Sequence, residues 1–163
     1  MMGVNSRGRA AWVAAMVSPS SLLVAFLLNL PPNLVDDGRL VLERQFRYPH
    51  GREFIEIPAG KLEPGEPPLE TARRELLEET GYSAGEWSRL GVIHPSIAYT
   101  DEAIELFLAK GLEQRAAKLD AGEFLEVLRV PFDEAIAMIR DGSITDSKTI
   151  VGLLWCSMGW PSP

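Results

Sequence analysis

Several short stretches of the chain alternate between apolar and polar residues. In RLVLERQFRY, Leu40 and Leu42 are followed by Phe46 and Tyr48 at alternate positions, and this pattern predicts a β-strand. The segment EFIEIPAG predicts a second strand, which a proline and a glycine end. Three further strand-like pieces lie at 89–94, 103–110 and 124–130.

Three other segments have the apolar spacing of helices. A helix over 67–80 places Leu69, Ala72 and Leu76 on one face, which must pack inward. Two further helices are predicted at 131–142 and 145–158. Strands mixed with three helices in one small domain predict an α/β fold, in which helices cover both faces of a mixed sheet.

The first 34 residues follow a different pattern. Two apolar runs, AAWVAAMV and LLVAFLLNL, come after Arg7 and Arg9, as in a secretory signal. A Ser-Pro-Ser-Ser sequence separates them, and neither reaches the roughly 18 apolar residues of a membrane span. We interpret the segment as one or two buried strands or a poorly ordered terminus, with a signal or anchor as the alternative. The predicted organisation is an atypical segment at 1–34 and one domain at 35–163.

The charge and cysteine content narrow the classes of partner. The chain has 163 residues and a net charge of −7, so it is a poor general binder of nucleic acid. A small substrate that carries phosphate would need local arginines or a bridging divalent metal. The single cysteine, Cys156, lies in an apolar run, excludes an intrachain disulfide and fits a reducing compartment. We therefore expect a cytoplasmic protein without a membrane partner.

Acidic residues cluster within the first predicted helix. Glu75 and Glu79 are four residues apart and lie one above the other, and Glu78 flanks the same side. Arg74 lies four residues from both Glu70 and Glu78, so it can pair with either. A solvated acidic face is the ordinary interpretation of such a cluster. The alternative is a site for a hard divalent cation such as Mg²⁺, which prefers carboxylate oxygens.

The wider spacing around this cluster favours the metal site. The segment GKLEPGEPPLETARRELLEETGY (60–82) resembles the signature of the Nudix hydrolase family at every fixed position. Those positions are Gly60, Glu66, Arg74, Glu75, Leu76, Glu78, Glu79, Gly81 and Tyr82. The resemblance extends over about 36–160. It implies the Nudix fold, an α/β/α sandwich with a mixed β-sheet, and metal-dependent hydrolysis of a nucleoside diphosphate linked to another group.

The same resemblance implies a role for individual residues. Glu75 and Glu79 correspond to the principal ligands of Mg²⁺, or of Mn²⁺ in its place, and Glu78 supports them. Arg74 orients these glutamates by ion pairing, and the backbone carbonyl of Ala59 completes the metal shell. The resemblance also implies that Glu66 stabilises the junction between the loop and the helix.

The flanking segments are similar to the ADP-ribose pyrophosphatase branch of the family. The similarity is found in the segments LERQFRY and EIPAGKLEPGE. It implies that Arg47 faces the substrate phosphates and that Glu56 lies beside the site. An exposed strand arginine without a role is the alternative for Arg47. After the signature, HPSIAYTDEAIELFLAKGL matches through Glu102, a predicted substrate-binding residue, but departs from the branch at Ile97 and Ala98.

The loop KLDAGEFLEV offers few carboxylates for a general base. The branch implies that one loop carboxylate here acts as base or metal ligand, and we predict Glu123 for this role, with Asp120 second. The alternative is an acidic loop without a catalytic role. The first 34 residues do not resemble the branch, in which this region contributes to a homodimer and to the adenosine pocket. A misassigned start of the reading frame is one explanation.

The predicted function is Mg²⁺-dependent hydrolysis of ADP-ribose or a related nucleoside diphosphate sugar to AMP and a sugar phosphate. Two alternatives stay open. One is a Nudix pyrophosphatase that acts on another dinucleotide or on a nucleoside triphosphate. The other is a catalytically weak Nudix module that binds a nucleotide without turnover.

Overall fold

The structure is a computed structural model that describes residues 22–28, 39–115 and 125–159. Within these ranges the strands are β1 (Leu22–Leu28), β2 (Arg39–Arg47), β3 (Arg52–Glu56), β4 (Ala59–Lys61), β5 (Tyr82–Ile93), β6 (Ala103–Gln114) and β7 (Leu125–Pro131). The helices are α1 (Pro68–Glu75), α2 (Phe132–Asp141) and α3 (Ser147–Ser157). A π-helical turn, Leu76–Thr80, continues α1, and a 3₁₀ turn, Tyr48–His50, follows β2.

The strands form two sheets. The four-stranded sheet has the order β4-β1-β6-β5, and it is mixed because β1 is parallel to β6 while the other neighbours are antiparallel. The three-stranded sheet has the order β3-β2-β7 and is antiparallel throughout. A mixed sheet in an α/β fold is confirmed, and a separate antiparallel sheet accompanies it.

Strand β6 shows how the helices cover the mixed sheet. Leu106 and Leu108 join the core cluster that contains residues of α2 and α3. Phe107 and Ala109 point the other way, into a cluster with α1. Leu76, at the end of α1, is fully buried in this second cluster, and burial of a leucine contributes roughly 1.5–3 kcal/mol. Helices therefore lie on both faces of the sheet, as the sequence predicts.

The strand predicted in EFIEIPAG does end before the proline, but the strand that follows it, β4, was not predicted. Strand β3 ends at Glu56 in the antiparallel sheet, and β4 begins at Ala59 in the mixed sheet. Pro58 lies at the crossing, where its missing N–H removes a hydrogen bond that a continuous strand would need. The crossing brings residues of both sheets to one edge of the molecule.

The strand predicted at 89–94 is longer in the structure, where β5 begins at Tyr82. It pairs with β6 alone among the described strands, and its register shifts between Arg89 and Gly91. An edge strand can keep polar residues on its exposed face, so the apolar pattern of its first half is weak. Helix α1 likewise differs from the prediction, since the α-helical hydrogen bonding gives way to the π turn after Glu75.

Several predictions concern residues outside the described part of the chain. They include the signal-like residues Arg7 and Arg9, and the loop carboxylates Asp120 and Glu123. No helix within the described ranges is long and apolar enough to span a membrane.

Thr149 connects α3 to the crossing between the sheets. It is fully buried, and its hydroxyl oxygen accepts the N–H of Ile57 at 2.9 Å. The same hydroxyl donates to Oδ2 of Asp146, the N-cap of α3, at 2.6 Å. The Thr149 hydroxyl therefore provides the acceptor for a buried backbone N–H at the crossing and also holds the N-cap residue of α3.

We expect Thr149→Val to lower the free energy of unfolding by about 1–3 kcal/mol, because the N–H of Ile57 would stay buried without a partner. Denaturant unfolding measures the change. Thr145→Val is the matched control, since Thr145 is exposed and its effect should stay within about 0.5 kcal/mol. Equal stability of Thr149→Val and the wild type would contradict this account of the crossing.

Candidate active site

A cleft of about 1170 Å³ opens where the crossing, the start of α3 and the α1 segment meet. Its volume is sufficient for a small-molecule ligand, since such sites are typically about 300–1,000 Å³. The residues that line it include seven with a role predicted from sequence: Arg47, Glu56, Ala59, Arg74, Glu75, Glu79 and Glu102. Glu66 and Glu78 are not part of the lining, and Asp120 and Glu123 lie outside the described residues.

Arg74 is the centre of an ion-pair network beneath the cleft. Its Nε and Nη2 donate to the two oxygens of Glu66, each at 3.1 Å. Its Nη1 donates to Glu75 Oε1 at 2.9 Å and to Glu78 Oε2 at 3.0 Å. Nη2 also reaches the carbonyl oxygen of Lys61 at 3.3 Å. One guanidinium therefore ties the loop before α1 to the helix and to the π turn.

The network keeps Arg74 and Glu66 ionised. The hydrogen bond to Glu66, followed by the charge of Glu75, raises the pKa of Arg74 above its ordinary value. The hydrogen bond from Arg74 and a second one from Thr71 lower the pKa of Glu66 to about 2. Glu66 is thus a carboxylate at every physiological pH and stays paired with the Arg74 guanidinium.

Gly60 permits a close approach by Glu75. A Cβ atom built at Gly60 would lie 1.8 Å from Cδ of Glu75, a distance that real atoms never adopt. Any side chain at position 60 would therefore push the carboxylate out of its place. Glycine is required here for space, and the short strand β4 and the end of α1 meet at this contact.

Glu79 lies beside the same point of the cleft. It is only 6% exposed, and its Oε2 accepts the backbone N–H of Ala59 at 3.2 Å. Glu79 belongs to the π turn, which ends at Gly81 with a positive φ of 71°. Such single π turns occur often at functional sites, because they change the direction of side chains along a helix. Here the turn brings Glu79 to the start of β4, close to the residue whose carbonyl the family resemblance implicates.

These side chains fit a hard divalent cation that keeps most of its coordination for other oxygens. Among the described residues, no group of three or more acidic, His or Cys side chains converges closely enough to hold a metal by itself. Mg²⁺ commonly binds through only one or two carboxylates, with water and substrate phosphates as its other ligands. Glu75 and Glu79 both line the cleft and offer oxygen atoms alone, so the donor set suits Mg²⁺ or Mn²⁺.

Arg47 and Glu56 form a bidentate pair that also lines the cleft. Arg47 donates through Nε to Glu56 Oε1 at 2.6 Å and through Nη2 to Oε2 at 2.7 Å. The hydrogen bond to Glu56 raises the pKa of Arg47. Burial alone would raise the pKa of Glu56, but the hydrogen bond from Arg47 and the charge of Lys148 outweigh it, so the pKa is lowered. The pair is therefore fully charged at neutral pH.

Two residues near this pair were missed in the sequence. Lys148 and Asp146 both line the cleft, and the Lys148 ammonium donates to Glu56 and, at 3.0 Å, to Asp146. A signal for Lys148 was present in the sequence. A lysine in the first turn of a helix opposes the helix dipole, so its presence there indicates a specific acidic partner.

Comparison with known proteins gives consistent matches. A family model described as the NUDIX domain matches residues 33–150. The ADP-ribose pyrophosphatase of Bacillus subtilis (strain 168) is 37% identical over 127 residues, which are 77% of this chain and 69% of that protein. The methanol dehydrogenase activator of Bacillus methanolicus is 39% identical with the same coverage. The GDP-mannose pyrophosphatase of Escherichia coli O1:K1 / APEC is 38% identical, over 73% of this chain and 66% of that protein.

A solved structure shares the fold. The crystal structure of an ADP compounds hydrolase has a TM-score of 0.75 and covers 88% of this chain and 74% of that chain. Its sequence identity is 20%, so this likeness concerns the fold alone. The family model, however, spans most of the chain and includes the 60–82 signature around which the cleft is built. The chain therefore belongs to the Nudix hydrolase family.

Proposed function

We propose that this Nudix hydrolase cleaves the pyrophosphate bond of ADP-ribose or a related nucleoside diphosphate sugar, with Mg²⁺, to give AMP and a sugar phosphate. One observation carries the proposal: Glu75 and Glu79 line the same cleft as Arg47. An acidic metal site and a basic clamp in one cleft suit a pyrophosphate, which needs both a cation bridge and direct hydrogen-bond donors. Relatives named for ADP-ribose and GDP-mannose support this substrate class.

The metal would be held by Glu75 and Glu79, with the carbonyl oxygen of Ala59 as a further ligand. When bound, Mg²⁺ or Mn²⁺ supplies neutralisation of the pyrophosphate charge and activation of water for attack on phosphorus. Glu78 has a supporting role, since Arg74 holds one of its oxygens and its side chain is 34% exposed. Arg74 keeps Glu75 turned toward Gly60 and prevents the neighbouring carboxylates from repelling one another.

The remaining polar residues bind and orient the substrate. Arg47 uses Nε and Nη2 for Glu56, so its other edge, Nη1, is the one left for a substrate phosphate. Glu102 lines the cleft and is proposed to bind the substrate on that side. A carboxylate must also accept the proton of the attacking water, and we propose Glu123 for this task, with Asp120 as the second candidate.

The proposal also covers the cellular location of the enzyme, its oligomeric state and its partners. A cytoplasmic location is supported by the single cysteine, whose burial raises the pKa of the Cys156 thiol to about 11 and leaves it unreactive. A homodimer is supported by the resemblance to the ADP-ribose pyrophosphatase branch. The net charge of −7 argues against nucleic acid as a partner.

The proposal is tested with a panel of substrates in Mg²⁺: ADP-ribose, GDP-mannose, ADP-glucose, NADH, diadenosine polyphosphates and nucleoside triphosphates. We expect ADP-ribose or another nucleoside diphosphate sugar to be hydrolysed fastest, with the nucleoside monophosphate identified by chromatography.

Glu79→Gln should lower kcat by about a hundredfold or more, since even the groups that orient metal ligands commonly contribute about 10–100-fold.

Glu70→Gln is the matched control for Glu79→Gln. Glu70 lies on α1 and pairs with Arg73 at 2.7 Å, but it does not line the cleft. Its turnover should equal that of the wild type. If nucleoside triphosphates or dinucleotides were the best substrates, the alternative pyrophosphatase would replace the proposed one. If no substrate were turned over while metal was bound, the chain would instead be a nucleotide-binding module.

The role of Arg47 can be tested against a neighbour with the same environment. Arg44 lies on the same strand, is 40% exposed against 41% for Arg47, and pairs with Glu126 at 2.6 Å. Only Arg47 lines the cleft. We expect Arg47→Ala to lower kcat/KM by about thirtyfold, the equivalent of roughly 2 kcal/mol for a lost hydrogen bond to a charged group. Arg44→Ala should change it by less than about threefold, as surface substitutions do. Equal effects of the two substitutions on kcat/KM would show that Arg47 does not contact substrate.

A further inference from the structure

Lys148 is an unusual residue for its position. It is only 4% exposed, although lysine is almost never fully buried unless it is paired. Its ammonium group lies between Glu56 and Asp146, on the first turn of α3. A buried ion pair is weak evidence for a role in stability, because well-packed apolar residues often stabilise such a site equally well. Because Lys148 also lines the cleft, a role in the cleft is the better explanation for its burial.

Glu56 is shared between two cations. Its Oε2 accepts hydrogen bonds from Arg47 Nη2 and from the Lys148 ammonium, and its Oε1 accepts from Arg47 Nε. Lys148 and its second partner, Asp146, add one charge of each sign, so the net charge around Arg47 and Glu56 does not change. What Lys148 adds is a second direction from which the Glu56 carboxylate is held.

Asp146 fixes Lys148 in turn. Its Oδ2 accepts from the Lys148 ammonium at 3.0 Å, from the Thr149 hydroxyl at 2.6 Å and from the Thr149 N–H at 3.0 Å. Asp146 is the N-cap of α3, so the rigid helix end determines where the ammonium lies. A chain of contacts thus leads from α3 through Lys148 and Glu56 to Arg47, which is on a different strand of the cleft wall.

We propose that Lys148 is a positioning residue for the pyrophosphate substrate: by holding Glu56, it fixes the Arg47 guanidinium in the orientation that receives a phosphate. This inference rests on the proposed function. Lys148 acts through Arg47, and its ammonium group donates to Glu56 and Asp146. Its contribution belongs to substrate binding, so it enters KM and leaves the chemical step nearly unchanged.

The test is a double-mutant cycle on the full-length protein, with the best substrate of the wild-type enzyme. Lys148→Met keeps the length of the side chain and removes its charge. We expect KM to rise about tenfold while kcat stays within about threefold. In the Arg47→Ala background, the same substitution should raise KM by less than about twofold, because the residue through which it acts is absent. Mn²⁺ affinity, measured by electron paramagnetic resonance, should equal that of the wild type.

Each outcome separates the two proposals. Absence of turnover by the wild type overturns the proposed function, and with it the premise of a positioning role. Turnover by the wild type with an unchanged KM in Lys148→Met overturns the positioning role alone. A KM effect of the same size in both backgrounds also overturns it, since a merely structural lysine would act independently of Arg47. If Lys148→Met does not fold, as judged by circular dichroism, Lys148→Gln is measured in its place with the same expectations.

Discussion

The guanidinium of Arg74 is the contact on which the rest of the cleft depends. Without it, the negative charges of Glu66, Glu75 and Glu78 would lie close together, and like charges at such short separations destabilise the fold. Arg74 meets all three because its planar group offers donors in several directions, which an ammonium group could not do in the same geometry. The ion pairs with Arg74 offset this repulsion and hold Glu75 toward the cleft, where Gly60 leaves space for its carboxylate.

A second ion-pair network in the cleft joins Glu56 to Arg47 and Lys148. The crossing from β3 to β4 places Glu56 in one sheet and Ala59 in the other. Glu56 then pairs with Arg47 and Lys148, while the N–H of Ala59 donates to Glu79. Two residues, Ile57 and Pro58, therefore connect the proposed phosphate clamp with the proposed metal site. Displacement of the crossing would change both together.

Much of this arrangement could be predicted from the sequence, because it depends on local spacing. The inward face of α1 and the end of the helical segment at Thr80 both follow from residues a few positions apart. The family signature added the identity of the carboxylates. The strand after Pro58, which pairs in the other sheet, could not be predicted, since strand pairing depends on contacts distant in sequence. Lys148 was missed for the same reason, because its partner Glu56 is 92 residues away.

We propose that Glu75 and Glu79 hold a divalent metal in the cleft that Arg47 also lines. The most direct measurement is the anomalous scattering of Mn²⁺ in crystals grown with Mn²⁺ and a non-hydrolysable analogue of ADP-ribose. We predict a metal peak in direct contact with carboxylate oxygens of both glutamates and with the phosphates of the analogue. A peak that touches neither glutamate, or none in the cleft while the analogue is bound, would contradict the account.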